Sequence, residues 1–321
     1  MQLSILIPVY NVEKYIARCL DAILCQPTDG IEILLGIDGS PDNSGKICEE
    51  YAKKYDFIHI FHNKNMGAGA ERNFLLDRAT GKYVWFVDAD DMIAENAIEQ
   101  IMGHIATHNE IDILSMGFKR FDDKEQYGDL EFGTVAVKEI TGKEYLLKES
   151  FCGYLWNKVF KRSHLIQHNV RMNDRLVNQE DNLFNLYAII PCQNILLTNI
   201  YGYNYYQSNA LSTMRNRSLK SIERNFNDTV LAEKELQHII KNIEDRDLKQ
   251  SIEQLLYLNV AGLLYAMYQT KYPANKVKNI LSELKDMNLY PAQRSHNRRA
   301  NLFISLANIE RLYILLCRIH S

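Results

Sequence analysis

Gly81-Lys82-Tyr83-Val84-Trp85-Phe86-Val87-Asp88-Ala89-Asp90-Asp91 runs five apolar residues, Tyr83 to Val87, straight into three carboxylates within four positions. A short apolar run rich in aromatic and β-branched residues reads as a strand buried on both faces, the pattern of a parallel sheet. The segments before it repeat the design. Leu3 to Val9 and Ile31 to Ile37 are apolar runs, and Phe57 to His62 is a third. Between them lie amphipathic stretches. Ile16, Leu20, Ile23 and Leu24 share one helical face with Asn11 as expected N-cap, Asp42 or Ser44 caps a helix through Ile47 to Lys54, and Glu71 to Ala79 is a helix that Gly81 is placed to stop. A further helix follows from Glu95 to His108. Strands alternating with helices predict an α/β fold with a mostly parallel central sheet, right-handed crossovers and a ligand site outside the carboxyl ends of the strands. The polar clusters fall at those ends: Tyr10-Asn11, Asp38-Gly39-Ser40, Asn65 to Asn73, and Asp88 to Asp91.

Taken singly, each cluster has an ordinary explanation. Three acids in a turn can simply be solvated and cap the next helix, although like charges so close repel unless a cation neutralises them. Oxygen-only donors suit Mg²⁺ or Mn²⁺, which take one or two carboxylates plus substrate phosphates. An EF-hand is excluded because Met92 and Ile93 occupy positions that loop needs for ligands and glycine. Gly67-x-Gly69 is followed by Arg72 rather than a third glycine and comes after the third strand, so the dinucleotide fingerprint is not met. Asp38-Gly39-Ser40 is a common turn tripeptide. Glu180-Asp181 before the run Leu183 to Ile190 can be a general base or acids placed at a helix N-terminus. Trp156-Asn157-Lys158 can wall a sugar pocket or belong to the core.

In order along the chain, these motifs resemble glycosyltransferase family 2, inverting enzymes of the GT-A fold. The resemblance rests on Ser4 to Asn11; on Asp38-Gly39-Ser40 with Asp42 and Ser44; on Asn65-x-Gly67 with Ala70-x-Arg72-Asn73; and on Gly81 to Asp91. It continues more thinly through Trp156-Asn157-Lys158, Glu180-Asp181 and Tyr203-x-Tyr205-Tyr206 with Ser212, and gives nothing beyond Leu219. The resemblance implies a Rossmann-like GT-A domain, a nucleotide-sugar donor (a UDP-sugar), Mg²⁺ or Mn²⁺, and transfer to a hydroxyl of a polysaccharide or lipid-linked glycan. By position it implies that Pro8, Tyr10, Asp38 and Arg72 contact the nucleoside, that Asp88 sits near the ribose, that Asp90 holds the metal, and that Asp181 is the base. Glu180, Asp91, Trp156 and Lys158 are further candidates. Two departures stand out: Ile37 precedes Asp38 where the family often has a second acid, and Gln207 follows Tyr206 where it often has Arg, a charge that Arg215 or Arg217 could replace.

Two other classes are set against this reading. A sugar nucleotidyltransferase needs a glycine-rich phosphate loop after the first strand, and Val9-Tyr10-Asn11-Val12 has no glycine. A non-catalytic nucleotide-sugar or partner-binding module on the same fold is opposed by the intact Arg72, Asp88, Asp90 and Asp181.

Length and composition agree with this picture. The 321 residues suffice for about two domains. Lys and Arg number 37 against 40 Asp and Glu, a net charge of −3, which argues against a nucleic-acid partner. The six cysteines show no zinc or C-x-x-C spacing and read as small buried hydrophobes in a reducing compartment. With no signal-like start and no long apolar stretch, a cytoplasmic location is expected. The expected division is a nucleotide-sugar-binding half at 1–105, an acceptor-binding half at 106–216, and a helical C-terminal extension at 217–321. In the middle part, Ile111 to Met116 and Ile195 to Tyr201 are expected strands and Asp122 to Gly133 a loop. Residues 294–320 carry five arginines (Arg294, Arg298, Arg299, Arg311, Arg318) against Glu310, with Leu302, Leu306, Ile309, Tyr313 and Leu316 on one expected helical face. Such a helix either lies on an anionic membrane, at the inner face of the cell membrane, or packs on the protein's own core or in a homodimer interface.

Overall fold

The computed structural model describes residues 1–108, 110–124, 126–132, 136–209, 218–294 and 298–319. The chain divides into two compact units, Met1–Asn216 and Arg217–Ser321.

The first unit is built on one sheet ordered β3-β2-β1-β4-β8-β6-β9-β5, with β7 also on β9. Strands β1 (Leu3–Val9), β2 (Ile31–Asp38), β3 (Ile58–Asn63) and β4 (Tyr83–Phe86) pair in parallel. All of β2 and all of β1 but Pro8 are buried, because helices cover both sheet faces. Helices α1 (Ile16–Leu24), α2 (Ser44–Ala52) and α3 (Ala68–Arg78) are the crossovers, and α4 (Ala97–Thr107), α5 (Gly142–Lys148), α6 (Arg162–Gln167) and α7 (Glu180–Ile189) follow in this unit. This geometry carries the carboxyl ends of β1, β2 and β4 to one edge.

The parallel order stops there. Strand β8 (Lys158–Lys161) inserts antiparallel beside β4 and also pairs antiparallel with β6 (Ile113–Phe121). Strand β9 (Ile195–Tyr206) runs parallel to β6, while β5 (Met92–Ile93) and β7 (Lys138–Ile140) pair antiparallel with β9. The sheet is therefore parallel over most of its paired length, as expected, with short antiparallel pairings at β8, β5 and β7. A strand as short as β8 carries too few residues to show a period, so sequence reading passes over it. Between β6 and β7, Phe118 bridges Glu131 and Phe121 bridges Tyr127.

Several local expectations are corrected. Asn11 is not the N-cap of α1, which starts at Ile16; Asn11 adopts φ 55° and donates its N–H to Ser40 Oγ at 2.8 Å. Helix α3 begins at Ala68, three residues before Glu71, because Gly67 at φ 88° turns the chain into the helix. Gly81 does not end that helix, which leaves through extended Ala79. It is needed for close approach, since a Cβ there would lie 2.6 Å from Ser4 Oγ and 2.7 Å from Ser4 N. Ser4, Thr80 and Gly81 all donate to Glu32, whose carboxylate stays below its usual pKa despite burial because those donors outweigh desolvation. Cys25 is exposed, whereas the other five cysteines are buried and all six are unpaired.

The second unit holds α8 (Leu219–Lys241), α9 (Arg246–Gln269), α10 (Ala274–Asp286), α11 (Arg298–Ala307) and α12 (Glu310–Ile319). Ser218 and Asp245 cap α8 and α9 through their side chains, and Pro273 precedes α10. The single C-terminal amphipathic helix is in fact two. Asn308 breaks it and bonds both Ala292 N and O. Ile304, Ala307, Tyr313 and Cys317 are buried, and Tyr313 donates to Leu264 O at 2.7 Å. This face packs on the unit's own core. The break rotates Leu302, Leu306 and Ile309 outward, at 73 %, 44 % and 55 % exposure. Among the described residues, no helix is long and apolar enough to cross a membrane.

Candidate active site

Tight loops at the carboxyl ends of the parallel strands form the site's floor. Asp42 accepts from Ser40 Oγ, Ser44 Oγ, Ser44 N and Glu13 N, which fastens the loop after β2 to the loop after β1. Pro8 and the half-exposed Tyr10 stand at this edge. Asp38 is only 3 % exposed; its Oδ1 accepts from Met66 N at 2.6 Å and its Oδ2 from Gly67 N at 2.9 Å. Asp38 thus builds the turn into α3.

The three acids after β4 diverge. Asp91 points into the protein, fully buried, and accepts from Tyr203 Oη at 2.9 Å and Tyr206 N at 2.7 Å. Burial, and then the charges of Asp90 and Asp88, hold its pKa well above the carboxylate range. Asp91 is therefore a structural anchor and drops out as an open candidate. Asp88 and Asp90 remain partly exposed. Asp90 Oδ2 accepts from Asn209 Nδ2 at 2.7 Å, and burial followed by the Asp88 charge raises its pKa. Asp88 N donates to Tyr203 Oη, and Asp88 Oδ1 accepts from Arg72 Nη2 at 2.7 Å.

Arg72 is the hub. Its side chain is 7 % exposed, and its fork reaches Asp88, Asp181 at 3.4 Å and Glu180 at 3.7 Å. Burial opposes the charge, but Asp181, Asp88 and Glu180 together raise the guanidinium pKa above its ordinary value. Its Nε is buried with no hydrogen-bond partner among the described residues. The fork binds carboxylates from both halves of the unit, so Arg72 joins them.

Glu180 and Asp181 open helix α7 (Glu180–Ile189), where the helix dipole favours acids. Burial lifts both carboxyls, and the Asp181 charge lifts Glu180 further, to about 8. Asp181 reaches about 6, with Arg72 and Lys158 opposing the rise. The two carboxyls are neighbours and titrate as a pair, both held above the ordinary carboxylate range chiefly by burial, while Arg72 favours their ionised forms. The Asp181 side chain is 28 % exposed, so it is walled in without being sealed.

Lys158 is 1 % exposed and does not reach an open pocket. Its Nζ donates to Cys152 O, Tyr154 O and Asn157 Oδ1 at 2.8, 2.8 and 2.9 Å. Trp156 is 3 % exposed and stacks between Tyr203 and Tyr154, so it belongs to the core and walls no pocket. Sequence reasoning missed Arg18 and Asn209, and it quoted Tyr203 in a motif without the role its hydroxyl plays under Asp91 and Asp88. Arg18 donates to Asp90 O at 2.7 Å and lies 4.0 Å over the Tyr206 ring. Its signal was being the single basic residue of α1. Ser212, Arg215 and Arg217 lie outside the described residues, as do the side chains of Arg298, Arg299 and Arg318.

Among the described residues, no three His, Cys, Asp or Glu converge as a complete metal-ligand set. Asp88 and Asp90 offer two crowded oxygen donors, which fits a hard divalent cation whose remaining ligands are phosphates and water.

The family model described as glycosyl transferase family 2 matches residues 4–168. An uncharacterized glycosyltransferase, EpsJ, of Bacillus subtilis (strain 168) is 34 % identical over 210 residues, 64 % of this chain and 61 % of that protein. The putative glycosyltransferase EpsH of the same organism is 30 % identical over 226 residues, 68 % of this chain and 65 % of that protein. The chain thus spans somewhat under two thirds of these relatives. Among solved structures, S. aureus TarS 1–349 in complex with UDP-GlcNAc matches at TM-score 0.68 and 20 % identity, covering 100 % of this chain and 91 % of that one. At that identity the likeness shows a shared fold. With the family match spanning more than half of its length, the chain belongs to glycosyl transferase family 2.

Proposed function

We propose that this chain is a glycosyltransferase that moves a sugar from a UDP-sugar onto a hydroxyl of a polysaccharide or lipid-linked glycan, with inversion at the anomeric carbon. The observation that carries the proposal is the buried Arg72, which joins Asp88 of the strand-end acidic turn to Asp181 of α7, a residue 109 positions after Arg72. Two TarS structures are complexes, one with UDP and one with UDP-GlcNAc, and the minor teichoic acid biosynthesis protein GgaB of Bacillus subtilis (strain 168) is 38 % identical over 117 residues, which supports the donor and acceptor classes.

In this reading Asp181 takes the proton of the acceptor hydroxyl as its oxygen attacks the anomeric carbon. Its carboxylate is partly exposed, and the adjacent Arg72 favours the ionised form a base needs. One base opposite the leaving group gives a single displacement and hence inversion. A diphosphate leaves as an anion, so no paired acid is needed to protonate it, unlike glycoside hydrolysis. Arg72 keeps Asp181 in place and restrains the rise in its pKa. Asp88 and Asp90 would hold Mg²⁺ or Mn²⁺, which stabilises charge on a diphosphate. Arg18 holds the Asp90 carbonyl and so fixes the shape of that turn.

Steady-state transfer from a panel of nucleotide sugars tests the base. Asp181→Asn is expected to lower kcat by about 10²–10⁴-fold while UDP binding persists. Undiminished turnover would remove Asp181 from the mechanism. For a lipid-linked acceptor, peripheral contact with an anionic membrane is supported by exposed Leu302, Leu306, Ile309 and Leu315 beside exposed Arg294 and Arg311. Liposome sedimentation of the full chain against its Leu302→Glu/Ile309→Glu form checks this, and equal binding refutes it.

A further inference from the structure

An aromatic column begins under the acidic turn and ends at the surface. Tyr203, whose hydroxyl holds Asp91 and Asp88 N, stacks on Trp156 with centroids 4.5 Å apart and planes 11° apart. Trp156 stacks in turn on Tyr154 at 4.6 Å and 16°. Burial decreases outward: Tyr203 is 0 % exposed and Trp156 3 %, while Tyr154 is partly exposed. Tyr205, also partly exposed, leans on both Trp156 and Tyr154 at 5.1 and 5.9 Å. Phe132 extends the aromatic surface. It is 41 % exposed, stacks on Phe118 at 5.8 Å, and is held at φ 56°, a region bulky residues rarely enter.

A charged pair edges these rings. Arg120 Nε and Nη2 donate to Glu131 Oε1 and Oε2 at 2.6 and 3.1 Å, and the guanidinium lies 5.7 Å from the Tyr205 ring centroid. Both side chains are about one-third exposed, at 39 % and 34 %. The surface is also fixed relative to the proposed base. Asn185 Nδ2 donates to both Asp181 O and Gly153 O, and Lys158 Nζ donates to Tyr154 O. Gly153 lets the loop meet α7, since a Cβ there would sit 1.5 Å from Asn182 Oδ1.

Rigid, part-exposed rings beside planar hydrogen-bonding groups suit one ligand chemistry in particular. One face of a pyranose presents C–H bonds of partial positive charge, which match the negative face of an aromatic ring, while its hydroxyls bond at the edge. We propose that Tyr154, Tyr205 and Phe132, edged by the Arg120–Glu131 pair, form the subsite that binds a pyranose ring of the acceptor. The assignment to an acceptor rests on the transferase reading; the pyranose chemistry does not.

Both tryptophans of the chain lie at this column, Trp85 through an Nε1 bond to Trp156 O, so intrinsic fluorescence reports on it. The full-length protein is titrated with a β-1,4-linked N-acetylglucosamine tetramer, with maltotetraose and with a short poly(glycerol phosphate). At least one pyranose tetramer is expected to change the wild-type signal. Tyr154→Leu should weaken that binding about tenfold and Tyr154→Phe should retain it. Phe132→Ala, at an exposed position, should also weaken it, with circular dichroism establishing that each variant is folded. Equal binding by wild type and folded Tyr154→Leu and Phe132→Ala, response to poly(glycerol phosphate) alone, or no response to either tetramer overturns the proposal. Wild-type hydrolysis of UDP-sugars is read in parallel. A protein that binds a tetramer but hydrolyses no donor counts against the transferase reading alone, and one that hydrolyses donor but binds no tetramer counts against the subsite alone.

Discussion

Replacing Arg72 by Met removes the counter-charge from three carboxylates at once, and the consequence should depend on pH. In the wild type, the side chains of Arg72, Asp88, Glu180 and Asp181 are 7 %, 27 %, 11 % and 28 % exposed. Deleting one member of a buried ion pair costs about 3–5 kcal/mol because it strands the other charge. Contacts of 3.4 and 3.7 Å to Asp181 and Glu180, and the partial exposure of two acids, put the expectation at the lower end, about 3 kcal/mol. In a unit of this size that is about 6–12 °C in melting temperature. The sign with pH follows from the shifts. Glu180 and Asp181 have folded pKa values of about 8 and 6, raised above their ordinary 4.5 and 3.8. A raised acid contributes stability that is present below its unfolded pKa and lost as pH climbs through the folded value. Without Arg72 both folded values rise further, so the variant loses more stability over the same climb. The gap between wild type and Arg72→Met should therefore be about 1–2 kcal/mol at pH 5, where mainly the charged bond to Asp88 is at stake, and about 3 kcal/mol at pH 8. Thermal unfolding followed by tryptophan fluorescence reads this unit, since Trp85 and Trp156 both lie within it. A destabilisation of constant size from pH 5 to pH 8 would refute the argument, because it would mean the acids do not depend on Arg72 for their charge. Arg72→Lys should recover only part of the loss, since an ammonium cannot fork between carboxylates.

Other outcomes follow from the same geometry. The acid limb of the kcat/KM profile should rise through a pKa near 6 as Asp181 loses its proton, and a profile flat from pH 5 to 7 would contradict the base assignment. Lys158→Met should cost about 1–3 kcal/mol for each acceptor it orphans at Cys152 O and Asn157 Oδ1, Tyr154 O keeping a donor in Asn185; it should also move that acid limb to higher pH, a shift that lost packing alone does not produce. Gly81→Ala should destabilise by about 1–3 kcal/mol in denaturant melts, because its Cβ would press on Ser4 backbone that cannot move within β1.

The sequence by itself determined the elements whose logic is local. Apolar runs such as Leu3 to Val9, ending in polar clusters, announce parallel strands with a site at their carboxyl ends, because burial on both faces removes the alternation of a one-sided strand. The ordered motifs were legible for the same reason: each lies within a few residues of its strand. Tertiary structure decided which group does what. Asp88, Asp90 and Asp91 are near neighbours in the chain, yet one is bonded to a buried arginine, one sits beside Asn209, and one is sealed under Tyr203 and Tyr206. Arg72 and Asp38 carry family motifs, and only the fold shows that they bind Asp181 and Asp88 and the Met66–Gly67 turn. Trp156 is core and Tyr154, two residues earlier, reaches solvent, because β8 is inserted between β4 and β6 with too few residues to show in any periodicity. Local sequence encodes which face of an element is apolar. The pKa of a carboxylate and the exposure of a ring depend on what long-range strand pairing packs against them, and no window of sequence holds that information.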